Sequence, residues 1–204
     1  MTPSQSSHPQ TMTVHIYIDS CAWNFLFRFG VDLWSELPPD RYRLHMTREV
    51  EIEVEAIPET GKDGADNRAL KQYIAANIAR GKVATTGTFG FQTYELDGTP
   101  SEVQVNVGFG QGSFQSDQER AYYASPEIKA QILRKPRKGS GLSANQADAS
   151  LAVHATNAIV LTDERPDKPG PLKLAASKGA KIVYLGAQFA SSGLSLGAFV
   201  ASVV

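Results

Sequence analysis

Two aspartates stand at the ends of short β-branched runs that lie far apart in the chain. Asp19 follows the strand-like run of HIYIDS, and Asp163 follows that of AIVLTDE. Such runs are typical of strands buried on both faces of a parallel sheet, and packing gives no reason for an acid at their exit. Because sites in open α/β sheets lie at the carboxyl ends of the strands, both aspartates are candidate site residues.

Two further acids fall on helical patterns that could reach the same edge of a sheet. Glu53 lies in REVEIEVEAI, and Asp148 lies in ANQADASLAVHATN. Converging carboxylates repel one another, and proteins usually tolerate this around a divalent cation. Mg²⁺ prefers oxygen ligands, so no histidine-rich cluster is needed. The pattern therefore predicts a site for Mg²⁺ or Mn²⁺.

Each acid also has a purely structural interpretation. An acid that ends a strand commonly caps a helix or turn, which applies to Asp19 and Asp163. Asp148 is favoured near a helix N-terminus by the helix dipole. Glu53 belongs to a charge run of the kind that usually forms a solvated helix face, together with Glu49, Glu51 and Glu55.

Composition predicts one soluble globular domain. The chain has 204 residues, of which 42% are hydrophobic and 20% charged, and no stretch approaches the length needed to span a bilayer. Residues 1–13 are polar and are expected to be a disordered leader rather than a secretion signal, which favours a cytoplasmic protein. Cys21 is the only cysteine, which excludes an internal disulfide and a cysteine-rich zinc site. The net charge of −1 gives no global basic field for nucleic acid.

Strand and helix patterns alternate over most of the chain, which predicts an α/β fold with a central parallel sheet. Ser20 is expected to cap the first helix, and Ser143 and Gln146 are expected to form a capping box before another. The C-terminal residues 189–204 fit a covering helix, an edge strand or a partner-binding tail. The other expected strands are YRLHM and KIVYL, and the other helices lie near 32–37, 47–57, 68–80, 116–133 and 171–180.

Residues 82–114 have a different texture, which predicts an inserted β-hairpin element. Alternating apolar and polar positions flank the turn signal Asp97-Gly98. The aromatic residues of this segment could stack on single-stranded bases, or could pack the insertion on the body or form a subunit contact. They are Phe89, Phe91, Tyr94 and Phe109.

Taken in order, four segments resemble the acidic motifs of PIN-domain nucleases: IYIDS, TREVEIEVEAI, QADASLAVHA and IVLTDE. The likeness covers residues 14–57 and 143–189, whereas 60–142 is longer than the compact family pattern. The resemblance implies one PIN-like domain over residues 14–204 with a three-layer α/β/α fold. It also implies a metal-dependent endoribonuclease that hydrolyses RNA phosphodiester bonds.

Within such a site the residues take distinct roles. Asp19 and Asp163 are expected to be direct metal ligands, and Asp148 a direct or water-mediated ligand. Glu53 is expected to bind the metal or to position the attacking water; its choice among neighbouring glutamates rests on the family spacing from Val50. Thr162 and Ser20 are auxiliary candidates.

A dense basic cluster is the candidate contact to a phosphate backbone, although such clusters are equally often plain solvated surface. It consists of Arg134, Lys135, Arg137 and Lys138. Asp117 and Glu164 are additional acid candidates, but both are expected at the surface. The histidines at 15, 45 and 154 are expected to be core or boundary residues, and neither a hydrolase triad nor a nucleotide-binding glycine loop is indicated.

Family analogy makes a toxin with an inhibitory antitoxin protein one role for such a ribonuclease, and a homodimer is one possible assembly. A competing hypothesis is a catalytically inactive PIN-like module that binds RNA or a protein. Retention of all four acids favours the enzyme. The long segment 60–142 leaves the role open, since an insertion can shape a substrate groove or block it.

Overall fold

A five-stranded parallel sheet forms the centre of the protein in a computed structural model that describes residues 13–61, 64–87, 112, 114, 116–132 and 139–204. The strand order is β3-β2-β1-β4-β5, and neighbouring strands pair in parallel throughout. The strands are β1 Val14–Ile18, β2 Tyr42–Thr47, β3 Val83–Thr86, β4 Ile159–Thr162 and β5 Ile182–Tyr184. Every residue of β4 and β5 is buried, as their continuous apolar runs require.

Helices cover the sheet, which confirms the predicted three-layer α/β/α fold. The side chains of Trp23 and Leu26 on α1 are completely buried. The helices of the described residues are α1 Ser20–Arg28, α2 Leu33–Glu36, α3 Arg48–Glu55, α4 Arg68–Ala79, α5 Asp117–Ala124, α6 Pro126–Ile132, α7 Gln146–His154, α8 Pro171–Ser177 and α9 Leu196–Val203. A π-helical segment, Leu185–Phe189, follows β5 directly.

The strand order reverses direction between β1 and β4. From β1 the chain adds β2 and β3 on one side, then returns to add β4 and β5 on the other. The connections at this point leave a crevice outside the carboxyl ends of the two central strands, and ligands of open α/β sheets bind there. Asp19 and Asp163 follow these two strands.

The structure corrects the boundaries of the expected insertion. Val83–Thr86 pairs in parallel with β2 and is the edge strand of the sheet, so the insertion does not begin at residue 82. Its hairpin turn and its aromatic residues lie outside the described residues, as does the expected leader except for Thr13. The C-terminal segment, for which helix and strand were both open, contains the helix α9.

The expected capping box before α7 is only half formed. The Ser143 backbone N–H donates to Gln146 Oε1 at 3.1 Å, but the Ser143 hydroxyl is buried and has no hydrogen-bond partner. The N-cap is Asn145, in a left-handed conformation with φ of 88°. Asparagine is one of the few residues that accept this conformation, so the chain turns one residue before the helix begins.

Among the described residues, no helix combines the length and the apolar character that crossing a bilayer requires.

A row of stacked rings crosses one face of the sheet. His45 lies between His15 and Tyr17, with ring centroids 5.1 and 5.0 Å apart, and Tyr17 stacks on His154 of α7 at 4.3 Å. The His45 Nδ1 atom is buried without a hydrogen-bond partner. Burial lowers the pKa of His45 from its ordinary 6.5 to about 4, and the neighbouring His15, His154 and Arg43 act in the same direction.

His45 should make the protein less stable in acid. Since its pKa is lower in the folded than in the unfolded chain, the unfolded state binds more protons between pH 6.5 and about 4, and stability falls as the pH falls through that window. His45→Phe keeps an aromatic ring at this position, but a phenyl ring takes up no proton. Urea unfolding from pH 7 to about pH 4.5 should show a shallower loss of stability for this variant than for the wild type. Identical slopes would contradict the assignment.

A buried pair of hydroxyls joins α3 to α7. Ser150 Oγ lies 2.8 Å from the Ala147 carbonyl oxygen and 2.7 Å from the Thr47 hydroxyl. Thr47 also accepts the Val50 N–H at 3.3 Å as the N-cap of α3, and both hydroxyls hydrogen-bond to the Glu49 carboxylate. This pair fixes the helix that carries Glu53 relative to the helix that carries Asp148.

Thr47→Val should destabilise the protein by about 1–2 kcal/mol, because it removes a helix cap and one hydrogen-bond partner of the buried Ser150 hydroxyl. Thr47→Ser keeps the hydroxyl and is the matched control, with a smaller expected loss. The free energy of unfolding in urea measures both. A larger loss for Thr47→Ser than for Thr47→Val would mean that the threonine methyl group, and not the hydroxyl, accounts for the stabilisation.

Candidate active site

The candidate site lies where β1 and β4 end side by side. The Asp19 backbone N–H donates to the Leu161 carbonyl at 3.0 Å, which extends the ladder between the two strands by one residue. Thr162 is the last residue of β4 and is completely buried, and Asp163 and Glu164 follow it. The acids after the strands therefore enter the crevice from both sides of the reversal point.

Asp19 is held by donors on both carboxylate oxygens. Its Oδ2 accepts from the Thr162 hydroxyl at 2.7 Å and from the Cys21 thiol at 3.0 Å, and its Oδ1 accepts the Ser20 backbone N–H at 2.6 Å. Asp19 is thus the N-cap of α1, and the prediction that Ser20 caps this helix is wrong. The alternative interpretation of Asp19 as a helix cap is confirmed. Only 2% of Asp19 is exposed.

The electrostatic environment of Asp19 is that of a buried carboxylate beside others. Burial raises the pKa of Asp19, the hydrogen bonds from Cys21 and Thr162 lower it, and the carboxylates of Glu164 and Glu53 raise it again. Burial, together with the charge of Asp19, also raises the pKa of the Cys21 thiol. Cys21 is therefore a protonated donor that orients Asp19, and not a nucleophile.

Glu53 reaches the site from α3. The Ser20 hydroxyl donates to Glu53 Oε2 at 2.6 Å and lies 3.4 Å from Asp19 Oδ1. A hydroxyl has one proton, so Ser20 bonds mainly to Glu53 and lies between the two carboxylates. The structure thus brings Glu53 next to Asp19 and gives Ser20 a bridging role.

Asp148 comes from the first turn of α7 and is linked to the site through a lysine. The Lys168 ammonium pairs with Glu164 Oε1 and lies 3.6 Å from Asp148 Oδ2. Burial lowers the pKa of Lys168, but the hydrogen bond to Glu164 and the charges of Asp148, Glu164 and Asp19 outweigh it, so the pKa is raised. Glu164, expected at the surface, has a side chain only 19% exposed and belongs to the cluster, whereas the Asp117 side chain is 95% exposed as expected.

The Asp163 carboxylate points to a different neighbour. Its Oδ2 lies 3.6 Å from the Arg28 guanidinium, while its backbone N–H donates to Cys21 Sγ at 3.2 Å. A Cβ atom at Gly186, in the π-helical segment, would lie 2.8 Å from Asp163 Oδ1. The absence of a side chain at Gly186 therefore leaves the space that this carboxylate occupies.

The donor chemistry of the site suits a hard divalent cation. Carboxylates from four elements meet at the crevice, and the glycine at 186 leaves room for one of them. In the part of the chain that the structure describes, no three histidine, cysteine or acidic side chains are arranged to hold a metal ion. The Ser20 hydroxyl and the Lys168 ammonium lie between the carboxylates. The predicted ligation by Asp19, Glu53, Asp148 and Asp163 remains a prediction.

The predicted basic cluster and the auxiliary residue Thr162 differ in what the structure shows of them. The basic cluster at 134–138 lies outside the described residues, so its contact with nucleic acid stays a prediction. Thr162, an auxiliary candidate, donates to Asp19 as described above, and its Oγ1 also accepts the Glu164 N–H at 3.1 Å.

Sequence reasoning missed two residues of the cluster, Cys21 and Lys168, and it placed a third, Glu164, at the surface. The i, i+4 spacing of Glu164 and Lys168 is a recognised signal for an ion pair on a helix, but prolines at 166 and 169 exclude a helix there. Only the closed turn of this loop, in which the Lys168 N–H donates to the Arg165 carbonyl at 3.1 Å, brings them together. Cys21 lies in the first turn of α1 beside Asp19, and this proximity was available as a signal.

The site and the sheet define an α/β/α protein with an acid-lined crevice at the reversal of strand order. No protein-family profile, curated protein or solved structure matches the chain. The PIN-domain resemblance therefore rests on the four acidic motifs themselves.

Gly186→Ala should destabilise the protein by about 1 kcal/mol, because the new methyl group forces the Asp163 carboxylate away from Arg28. Gly186 does not have a left-handed backbone, so alanine causes no strain of its own. Ala187→Ser, at the next and exposed position, is the control. In an Asp163→Ala background the Gly186→Ala loss should vanish. Additive losses in this double-mutant cycle would show that the two residues do not interact.

Proposed function

We propose that the chain is a PIN-like, metal-dependent endoribonuclease that hydrolyses RNA phosphodiester bonds. The observation that supports this most is the convergence of Asp19, Glu53, Asp148 and Glu164 from separate elements at the reversal point of the sheet. Burial raises the pKa of Asp19 and the neighbouring carboxylates raise it further, while the hydrogen bonds from Thr162 and Cys21 hold the carboxyl group in place. Carboxylates clustered in a ligand-binding crevice are better explained by a cationic ligand than by packing.

The chemistry of phosphodiester hydrolysis matches this donor set. When bound to the acids, Mg²⁺ or Mn²⁺ supplies positive charge to the phosphoryl oxygens and lowers the pKa of a bound water. Thr162 and Cys21 fix the orientation of Asp19. Glu53, at the open side of the Ser20 hydroxyl, is the residue proposed to position the attacking water. Asp148 and Asp163 complete the proposed ligand set.

The surroundings of the proposed site bear on its partners. Arg28 lies beside Asp163 and over the rings of Phe25 and Phe29. A guanidinium and an exposed aromatic ring are groups that bind single-stranded nucleic acid, so RNA reaching Asp163 would contact them. An inhibitory antitoxin protein belongs to the proposal only through the family analogy. A cytoplasmic location and a homodimer belong to it as expectations from the sequence.

A catalytically inactive RNA- or protein-binding module is the second candidate. One observation favours it: among the described residues the acids are separated by a hydroxyl and an ammonium, and no three of them are arranged around one point. In that case the ammonium would be a permanent structural counter-ion of the cluster.

Asp19→Asn and Asp148→Asn should each reduce Mg²⁺- or Mn²⁺-dependent cleavage of RNA at least about 100-fold, the upper range for loss of a group that only supports a metal ligand. Asparagine caps helices as well as aspartate does, so Asp19→Asn keeps the cap of α1. Asp167→Asn removes an acid whose side chain is 76% exposed in the same loop and is the matched control. Cleavage is followed on labelled single-stranded and hairpin RNAs.

The same samples distinguish the second candidate. If the wild type leaves every RNA intact with either metal, yet binds RNA as tightly as Asp19→Asn in a filter or anisotropy assay, the protein is a binding module and not a nuclease. If EDTA fails to stop cleavage by the wild type, the activity does not depend on a metal and the proposal is wrong.

A further inference from the structure

Lys168 places a positive charge inside the acidic site. Its ammonium pairs with Glu164 and lies 3.6 Å from Asp148 Oδ2. The side chains of Asp148 and Glu164 are only 14% and 19% exposed, whereas that of Lys168 is 38% exposed. The lysine therefore approaches the two shielded acids from the solvent side.

The location of this charge is not explained by the loop alone. Lys168 lies between β4 and α8, where the turn is already closed by its backbone N–H on the Arg165 carbonyl. The carboxylates of Asp148, Glu164 and Asp19 all act electrostatically on the ammonium. Like charges that crowd in a partly buried site repel each other, and a cation among them reduces that repulsion.

We propose that Lys168 is the internal counter-ion of the acidic site and that a divalent cation must displace it to bind. The inference rests on the proposed function, because Asp148 is one of the proposed metal ligands and Glu164 shares the Lys168 ammonium with it. Both cations neutralise Asp148 and Glu164, so their binding is competitive and each weakens the other by the same factor. A lysine can leave without rearrangement of the loop, since its charge is carried on a flexible four-carbon stem.

A purely structural lysine has the opposite signature. If Lys168 only held the loop in the shape that aligns the acids, its removal would disorder the site and weaken metal binding. If it is a competitor, its removal should strengthen metal binding. The sign of the change in metal affinity therefore separates the two roles.

Lys168→Met should bind Mn²⁺ about 5–10-fold more tightly than the wild type, the change expected from loss of partly exposed ion pairs. Isothermal titration calorimetry on the full chain measures the dissociation constant. Lys173→Met is the matched control, because Lys173 is exposed and its ammonium donates to the Asp167 backbone carbonyl at 3.2 Å, away from the acidic side chains. An unchanged or larger dissociation constant for Lys168→Met overturns the inference.

The wild-type protein provides a second readout that needs no variant. Lysines are labelled with an amine-reactive reagent with and without Mg²⁺, and the extent at each position is read by mass spectrometry. Displacement predicts faster labelling of Lys168 when Mg²⁺ is present, with Lys173 unchanged. Labelling of Lys168 that does not respond to saturating Mg²⁺ contradicts displacement, even if Lys168→Met fails to fold.

The failure of this inference and that of the proposed function give different results. If the wild type binds Mn²⁺ but Lys168→Met binds it no more tightly, the metal site stands and displacement is wrong. If neither protein binds Mn²⁺, the proposed metal-dependent function is wrong and displacement falls with it. Binding by Lys168→Met alone supports displacement and identifies Lys168 as the group that blocks the site.

Discussion

The hydrogen bond from Thr162 to Asp19 is the contact on which the rest of the site depends. It joins the ends of the two central strands across the point where the strand order reverses, and both groups are almost completely buried. A buried carboxylate must be satisfied by donors, and Asp19 has three, from Thr162, Cys21 and the first turn of α1. The same contacts that stabilise the start of α1 therefore orient the first acid of the crevice.

One residue thus serves both the fold and the site. The sequence offered two interpretations of Asp19, as a helix N-cap and as a site residue. Both can hold, because the two carboxylate oxygens have different partners. Oδ1 satisfies the helix, while Oδ2 faces Thr162 and Cys21. Asparagine would serve the cap equally well, so a capping role alone does not account for a charge there. The charge acts on the Cys21 thiol and on the neighbouring Glu53, Glu164 and Lys168.

The architecture of the sheet and its helices could be predicted from the sequence, whereas the ion pairs of the site could not. Buried runs such as AIVLT and KIVYL have the continuous apolar pattern of parallel strands, so the sheet and its covering helices followed from local patterns. Val83–Thr86 was misassigned to the insertion because a short edge strand has no continuous apolar run and differs little from a hairpin strand. Its pairing with β2 depends on the tertiary structure and has no signal in the local sequence.

The charged partners of the site residues could not be predicted from the sequence, for a related reason. A motif fixes which acids occur in which order, but not which counter-charge lies among them. Lys168 and Glu164 meet only because a proline-containing loop closes on itself, and Asp163 turns to Arg28 only because residue 186 is glycine. Neither effect has a periodic signature along the chain, so resemblance could propose the acids but not their partners.

The described site consists of two bridged halves that differ in how easily they open. Ser20 bridges Asp19 and Glu53 with a hydroxyl that can rotate and still accept or donate, so this half can receive a ligand without losing the α1 cap. Lys168 bridges Glu164 and Asp148 with a full positive charge. If the lysine moves away, another positive charge must replace it. A neutral ligand could not replace it without leaving two shielded carboxylates uncompensated. Under the proposed function, the second half would therefore select a cation, and the first half would supply the rigid carboxylate against which that cation is held.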